Sequence, residues 1–191
     1  MHKRSEDSRA TKDWADTHQV ATNMDGNQAC LQCHEAIRNS LAAHTKHTVE
    51  SPGSSCYNCH MPYTTYGLLR ALRSHQISSP TVAASVNTGR PSACNLCHMD
   101  KTLRWTSEYL EQWYRTPSVA LNRDEQQVSA SLLWVLRGDA GQRALVAWSM
   151  GWKPAQQASG TAWMPPFLAG LMDDPYEAVR FVASRSIRTL P

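Results

Sequence analysis

Cys56-Tyr57-Asn58-Cys59-His60 decides how the rest of the chain is read. Two thiols stand three positions apart, and an imidazole follows the second at once. Working outward, the arrangement recurs upstream as Cys30-Leu31-Gln32-Cys33-His34 and downstream as Cys94-Asn95-Leu96-Cys97-His98. The three motifs use all 6 cysteines, and none is left over.

Cys-x-x-Cys-His is the attachment signature of a c-type haem. Two thiols at this spacing reach both vinyl groups on one edge of a porphyrin. The next residue projects its imidazole onto the iron from the same side. The expectation is three covalently bound haem c groups, attached through Cys30, Cys33, Cys56, Cys59, Cys94 and Cys97. His34, His60 and His98 are the expected proximal iron ligands. Competing readings fit less well. A disulfide framework has no use for a histidine after every second cysteine. Three Cys₂His sets do not divide into complete tetrahedral zinc sites without borrowing. A thioredoxin-like motif needs a single pair in a βαβ context, which the sequence lacks.

The second axial position is sought among the remaining histidines. His2 lies in a polar terminus and reads as solvated. His75, His47, His18 and His44 are candidate distal ligands, one more than three haems require. His44 and His47 are three apart, so a helix would set them side by side on one face. Methionine is the competing ligand type. Met61 and Met99 directly follow proximal histidines and cannot easily reach the far face of the same haem. Met24 can reach one in principle.

Around these motifs the chain has 191 residues, a net charge of +3 and ordinary apolar content. So small a basic excess gives no reason to expect nucleic acid. No apolar run is long enough to span a membrane, and the first residues lack the apolar stretch of a secretory signal. Residues 1–26 read as a polar arm carrying His18. Residues 27–119 read as a loop-rich trihaem domain whose core is built on the haems. Residues 120–191 read as a helical tail, so the expected fold is mainly α. Leu103, Thr106, Leu110 and Trp113 fall at helical spacing just before the tail. In the tail, Val128, Leu132, Val135 and Leu136 form an apolar stripe ending at Gly138. Asp139 can cap a helix carrying Ala144, Leu145 and Trp148 on one face. Residues 152–162 read as a connection, and Phe167 to Met172 as a short apolar segment. Asp173-Asp174-Pro175 reads as a helix start with Asp174 as N-cap, followed by inward Val179, Val182, Ala183 and Ile187. Two helical hairpins in series are the pattern of a short α-solenoid. A tail without cysteine or histidine is expected to be separable from haem binding and to dock a partner.

The stretch Cys56-Tyr-Asn-Cys-His-Met-Pro-Tyr-Thr-Thr-Tyr-Gly, with Arg73-Ser-His and Ser92-Ala-Cys-Asn-Leu-Cys-His-Met-Asp-Lys, resembles bacterial multihaem c-type cytochromes. Their Cys-His-Met-Pro centre is followed by a helical repeat tail, and Asp173-Asp-Pro-Tyr-Glu-Ala-Val-Arg looks like the turn and second helix of a HEAT repeat. The resemblance covers roughly residues 27–190. It implies closely spaced, mostly bis-histidine haems and respiratory electron transfer. It also implies that histidines at the positions of His44, His47 and His75 are ligands.

The expected function is therefore electron transfer, with redox proteins as partners, either a membrane complex or other cytochrome subunits. Haem c is attached outside the cytoplasm, so an extracytoplasmic location is expected. The alternative is a multihaem oxidoreductase with one open haem that acts on a small nitrogen or sulfur compound.

Overall fold

The computed structural model describes residues 22–67 and 70–191. Among them are twelve α-helices, two 3-10 turns and one two-stranded sheet, so the fold is mainly α as expected. The chain divides into two compact units, Met1–Asn58 and Cys59–Pro191. The sequence boundary near 119 separates the segment with the three Cys-x-x-Cys-His motifs from one without cysteine or histidine; the boundary of compactness lies at 58.

The first unit is built from helices of a single turn: α1 Gln28–Leu31, α2 Glu35–Arg38 and α3 Leu41–Thr45, with α4 Cys56–His60 beginning at its end. Leu41 and Ser54 are its only buried side chains among the described residues. Side-chain hydrogen bonds hold the loops instead. The Asn27 amide donates to Ser54 O at 2.8 Å and its oxygen accepts Cys56 N–H at 2.8 Å. Tyr57 donates its hydroxyl to Met24 O at 3.3 Å.

The second unit starts with a hairpin, β1 Tyr63–Gly67 against β2 Arg70–Arg73, paired antiparallel with an irregularity between Tyr63 and Thr65. Helix α5 Val82–Thr88 follows, capped by Thr81, which accepts Ala84 N–H at 3.2 Å. Helix α6 Leu103–Tyr114 starts where Thr102 Oγ1 accepts Trp105 N–H at 3.0 Å. It buries Leu103, Thr106 and Leu110, as their spacing predicted, together with Ser107, while Trp113 is half-buried. Capping boxes open α7 Arg123–Gln127 (Asn122 with Glu125) and α9 Ala140–Met150 (Asp139 with Gln142). Between them lies α8 Ala130–Arg137.

Helices α10 Lys153–Ser159, α11 Pro165–Leu171 and α12 Glu177–Ile187 complete the unit. Helix α8 packs on α9, α11 on α12, and α9 on α12, so two helical pairs stand in series. Gly151, at the end of α9, permits the last approach: a Cβ there would lie 2.5 Å from Ser186 Oγ and 3.0 Å from its Cα.

Three local expectations are corrected. Residues 152–162 are not only a connection, because α10 forms within them with Pro154 in its first turn, where a missing N–H costs nothing. Helix α12 starts at Glu177 rather than beside Pro175. Asp174 caps no helix; it accepts Tyr176 N–H at 2.9 Å and pairs with Arg143 Nε at 2.6 Å and Nη2 at 3.1 Å. Leu136, assigned to an apolar stripe, is 66% exposed.

The core of this unit runs across residue 119 without interruption. Met99, Leu103 and Leu110 belong to the same buried cluster as Ala130, Trp134, Val146, Met150, Leu168 and Val179. The tail is therefore packed against the segment that carries the third motif.

Candidate functional site

Each Cys-x-x-Cys-His motif closes one helical turn. In the first, Cys33 N–H and His34 N–H donate to Cys30 O at 3.1 and 3.0 Å. In the third, Cys97 N–H and His98 N–H donate to Cys94 O at 3.2 and 2.8 Å. The second motif is helix α4 itself. Positions i, i+3 and i+4 of such a turn share one face, so two thiols and one imidazole stand side by side in all three. That suits a group held along one edge by thioethers and through its axis by a nitrogen. None of the six cysteines is in a disulfide. Among the described residues no group of three or more His, Cys, Asp or Glu converges to hold a bare metal ion.

The motifs differ in burial. Cys33 and His34 are exposed and Cys30 is half-buried. Cys59, Cys94 and Cys97 are close enough to feel one another. Burial pushes the Cys94 and Cys97 thiols up to about 12, and the field of Cys59 adds to this. Burial also raises Cys59.

His60 Nδ1 lies 3.0 Å from Ser78 O. A carbonyl only accepts, so Nδ1 carries the proton and Nε2 is the lone-pair nitrogen, as an iron ligand requires. The ring of His98 lies 5.1 Å from that of Trp105, centroid to centroid. Trp105 begins a row of tilted aromatic contacts through Tyr109 to Trp113 along α6, at 4.7 and 4.6 Å.

Of the distal candidates, His44 and His47 lie in the first unit, with the first motif, and both are half-buried. They do not share a helix face. Helix α3 ends at Thr45 and Lys46 turns left-handed at φ 60°, so His47 folds back and its Nδ1–H donates to Thr45 O at 2.6 Å. That bond fixes the same tautomer as in His60. His75 is exposed, just beyond β2 in the second unit. His18 lies outside the described residues. Met24 sulfur accepts from Gln32 Nε2 at 2.9 Å. Met99 is fully buried in the protein core, which makes it a packing residue.

Several residues other than the motif cysteines and histidines surround these turns and the candidate ligands. Ser159, at the end of α10, accepts Met99 N–H at 2.7 Å and donates to Cys97 O at 2.6 Å. Ser131 in α8 donates to Met99 O. Buried Asn95 donates to Lys101 O at 3.0 Å and accepts the Thr106 hydroxyl at 2.7 Å. Gly53 stands against the His47 ring. Of these, Asn95 alone lies inside a Cys-x-x-Cys-His motif; nothing in the sequence marks the others.

A family model described as cytochrome c552 matches residues 46–150, a span of 105 of the 191 residues that holds the second and third motifs. Comparisons with curated proteins and with solved structures return no match. With that match over more than half its length, and with its thiols and imidazoles set on single turns, the chain belongs to the cytochrome c552 family: it is an electron-transfer c-type cytochrome with covalently bound haem c.

Proposed function

We propose that the chain binds three haems c, one at each motif, and relays single electrons between redox proteins outside the cytoplasm. The observation that carries this reading is the recurrence of one closed turn, with Cys, Cys and His on one face, at Cys30–His34, Cys56–His60 and Cys94–His98. When bound, each haem supplies a one-electron ferric/ferrous couple. The residues do the rest. Six thiols fix the macrocycles, and His34, His60 and His98 are the proximal bases. Three distal imidazoles come from among His75, His47, His18 and His44. Bis-histidine ligation favours low potentials because it lacks the methionine sulfur that raises them.

In this reading the haems form the missing core of the first unit, whose own buried side chains are few. The two helical pairs of the tail are HEAT-like, and their outer surface is available to a redox partner, either a membrane complex or other cytochrome subunits. Among the described residues no helix is long and apolar enough to cross a membrane. The location follows from where haem c is attached, and the chain acts as a carrier rather than an enzyme.

The test is intact mass combined with spin-state analysis of the holoprotein. The expected result is a mass of the polypeptide plus three haems that resist acid–acetone extraction, with all irons low-spin. A smaller haem count overturns the trihaem reading. A high-spin iron that binds small nitrogen or sulfur ligands overturns the carrier reading in favour of an oxidoreductase.

A further inference from the structure

We propose that Ser159, assisted by Ser131, is a positioning residue for the third haem, and that through it the haem-free tail sets that haem's potential. The inference rests on the reading that the Cys94–His98 turn carries a haem. One hydroxyl bridges the two peptide units that flank His98. Ser159 Oγ donates to the carbonyl of Cys97 on one side and accepts the N–H of Met99 on the other, at 2.6 and 2.7 Å. Ser131 Oγ then takes the carbonyl of Met99. Ser131 and Met99 are both fully buried, so water does not compete for the bond between them, while Ser159 is half-buried at the end of its helix.

The clamp is itself anchored. Ser159 is the last residue of α10, and its own carbonyl accepts the indole N–H of Trp163 at 3.1 Å. Gly160 follows at φ +68°, a backbone state that lets the chain leave directly after Ser159. On the ring side, Trp105 lies 5.1 Å from His98, inclined at 48°. His98 is thus held through its backbone by two helices of the tail and faced by an aromatic ring of α6. The tilt and rotation of an axial imidazole control its overlap with the iron orbitals, and groups that orient a ligand tune the metal it binds. Loosening the clamp frees the imidazole to rotate and leaves Met99 N–H without its partner in a dry core.

The test uses holoprotein with Ser159→Ala, Ser159→Thr and Ser131→Ala, read by intact mass, low-temperature electron paramagnetic resonance and a spectroscopic redox titration. A Cys94→Ala/Cys97→Ala variant identifies which spectral component belongs to the third haem. The expected result is that Ser159→Ala keeps the wild-type haem count, and that only the component lost in the cysteine variant changes its g-values and midpoint potential. Ser159→Thr, which retains the hydroxyl, should restore both. Should Ser159→Ala not mature, Ser131→Ala is read by the same criteria. Unchanged g-values and potentials in the alanine variants would overturn the proposal, as would a shift that threonine fails to rescue or one spread over every haem. If the cysteine variant has the same haem mass as wild type, the third-haem reading fails and the clamp's premise goes with it.

Discussion

Gly53→Ala disturbs a candidate axial ligand without altering its chemistry. A methyl group built on Gly53 would lie 2.5 Å from Cγ and 2.7 Å from Nε2 of His47, and closer still to Cδ2. Carbon atoms pack at about 3.5–4.0 Å, so the ring or the loop must yield by roughly 1 Å. The ring is held by its bond to Thr45 O at 2.6 Å. The loop is held by Ser51 Oγ, which accepts Gly53 N–H at 3.0 Å, and by Ser54 Oγ, which donates to Thr48 O at 2.8 Å. Overpacking of this kind costs about 1–3 kcal/mol. At about 2–4 °C per kcal/mol for a chain of this size, the Tm should fall by roughly 2–12 °C. If His47 ligates iron, the same strain favours the ring-off state about 5–150-fold. A thermal melt reads the first effect; electron paramagnetic resonance and the high-spin charge-transfer band read the second. A lowered Tm with every haem still low-spin would remove His47 from the ligand set. An unchanged melt would refute the packing argument itself.

Other variants probe different parts of the chain. Arg143→Met strands the Asp174 carboxylate, whose side chain is only 5% exposed, and should cost roughly 3–5 kcal/mol in a chemical melt. The hydrogen bonds from Arg143 hold the Asp174 carboxyl below its usual range against the opposing effect of burial. Its stabilisation is therefore complete above about pH 4 and lost as pH falls through the lowered folded value; that acid step should be absent from Asp174→Asn. Arg115 ends α6 in the left-handed region at φ 55°, so Arg115→Gly should gain about 1 kcal/mol and raise the Tm by about 2–4 °C. A chain ending at residue 119 lacks Ser131, Ser159 and most of the core around Met99. It should retain haem poorly or not at all, and a truncated holoprotein with a wild-type spectrum would contradict the packing described above.

What was legible in the sequence was whatever depends on spacing along one element. The three Cys-x-x-Cys-His turns are local, so their spacing alone sets Cys, Cys and His on one face. The capped start of α9 at Asp139 and the buried face of α6 are local in the same sense. Misreadings arose where a tertiary partner outbid local preference. Asp174 looks like an N-cap, yet Arg143, 31 residues earlier, takes its carboxylate in a two-point bond. His44 and His47 have helical spacing, yet Lys46 breaks the helix between them.

The role of the tail was hidden for a related reason. Haem chemistry announces itself through cysteine and histidine, and residues 120–191 contain neither. Their contribution to the third motif is made by two serine hydroxyls, the commonest kind of polar group, acting on backbone atoms 32 to 62 positions away. No periodicity or motif marks such a bond. Met99 and Met61 both directly follow a motif histidine, yet Met99 is fully buried and Met61 only half-buried, so sequence position alone does not mark the difference. The short turn that carries Met99 has too little apolar surface of its own. Burying Met99 requires a second layer, and the haem-free helices supply it. Helices without a cysteine or a histidine, in a segment of more than a third of the chain, thus still hold the backbone of the Cys94–His98 turn in place.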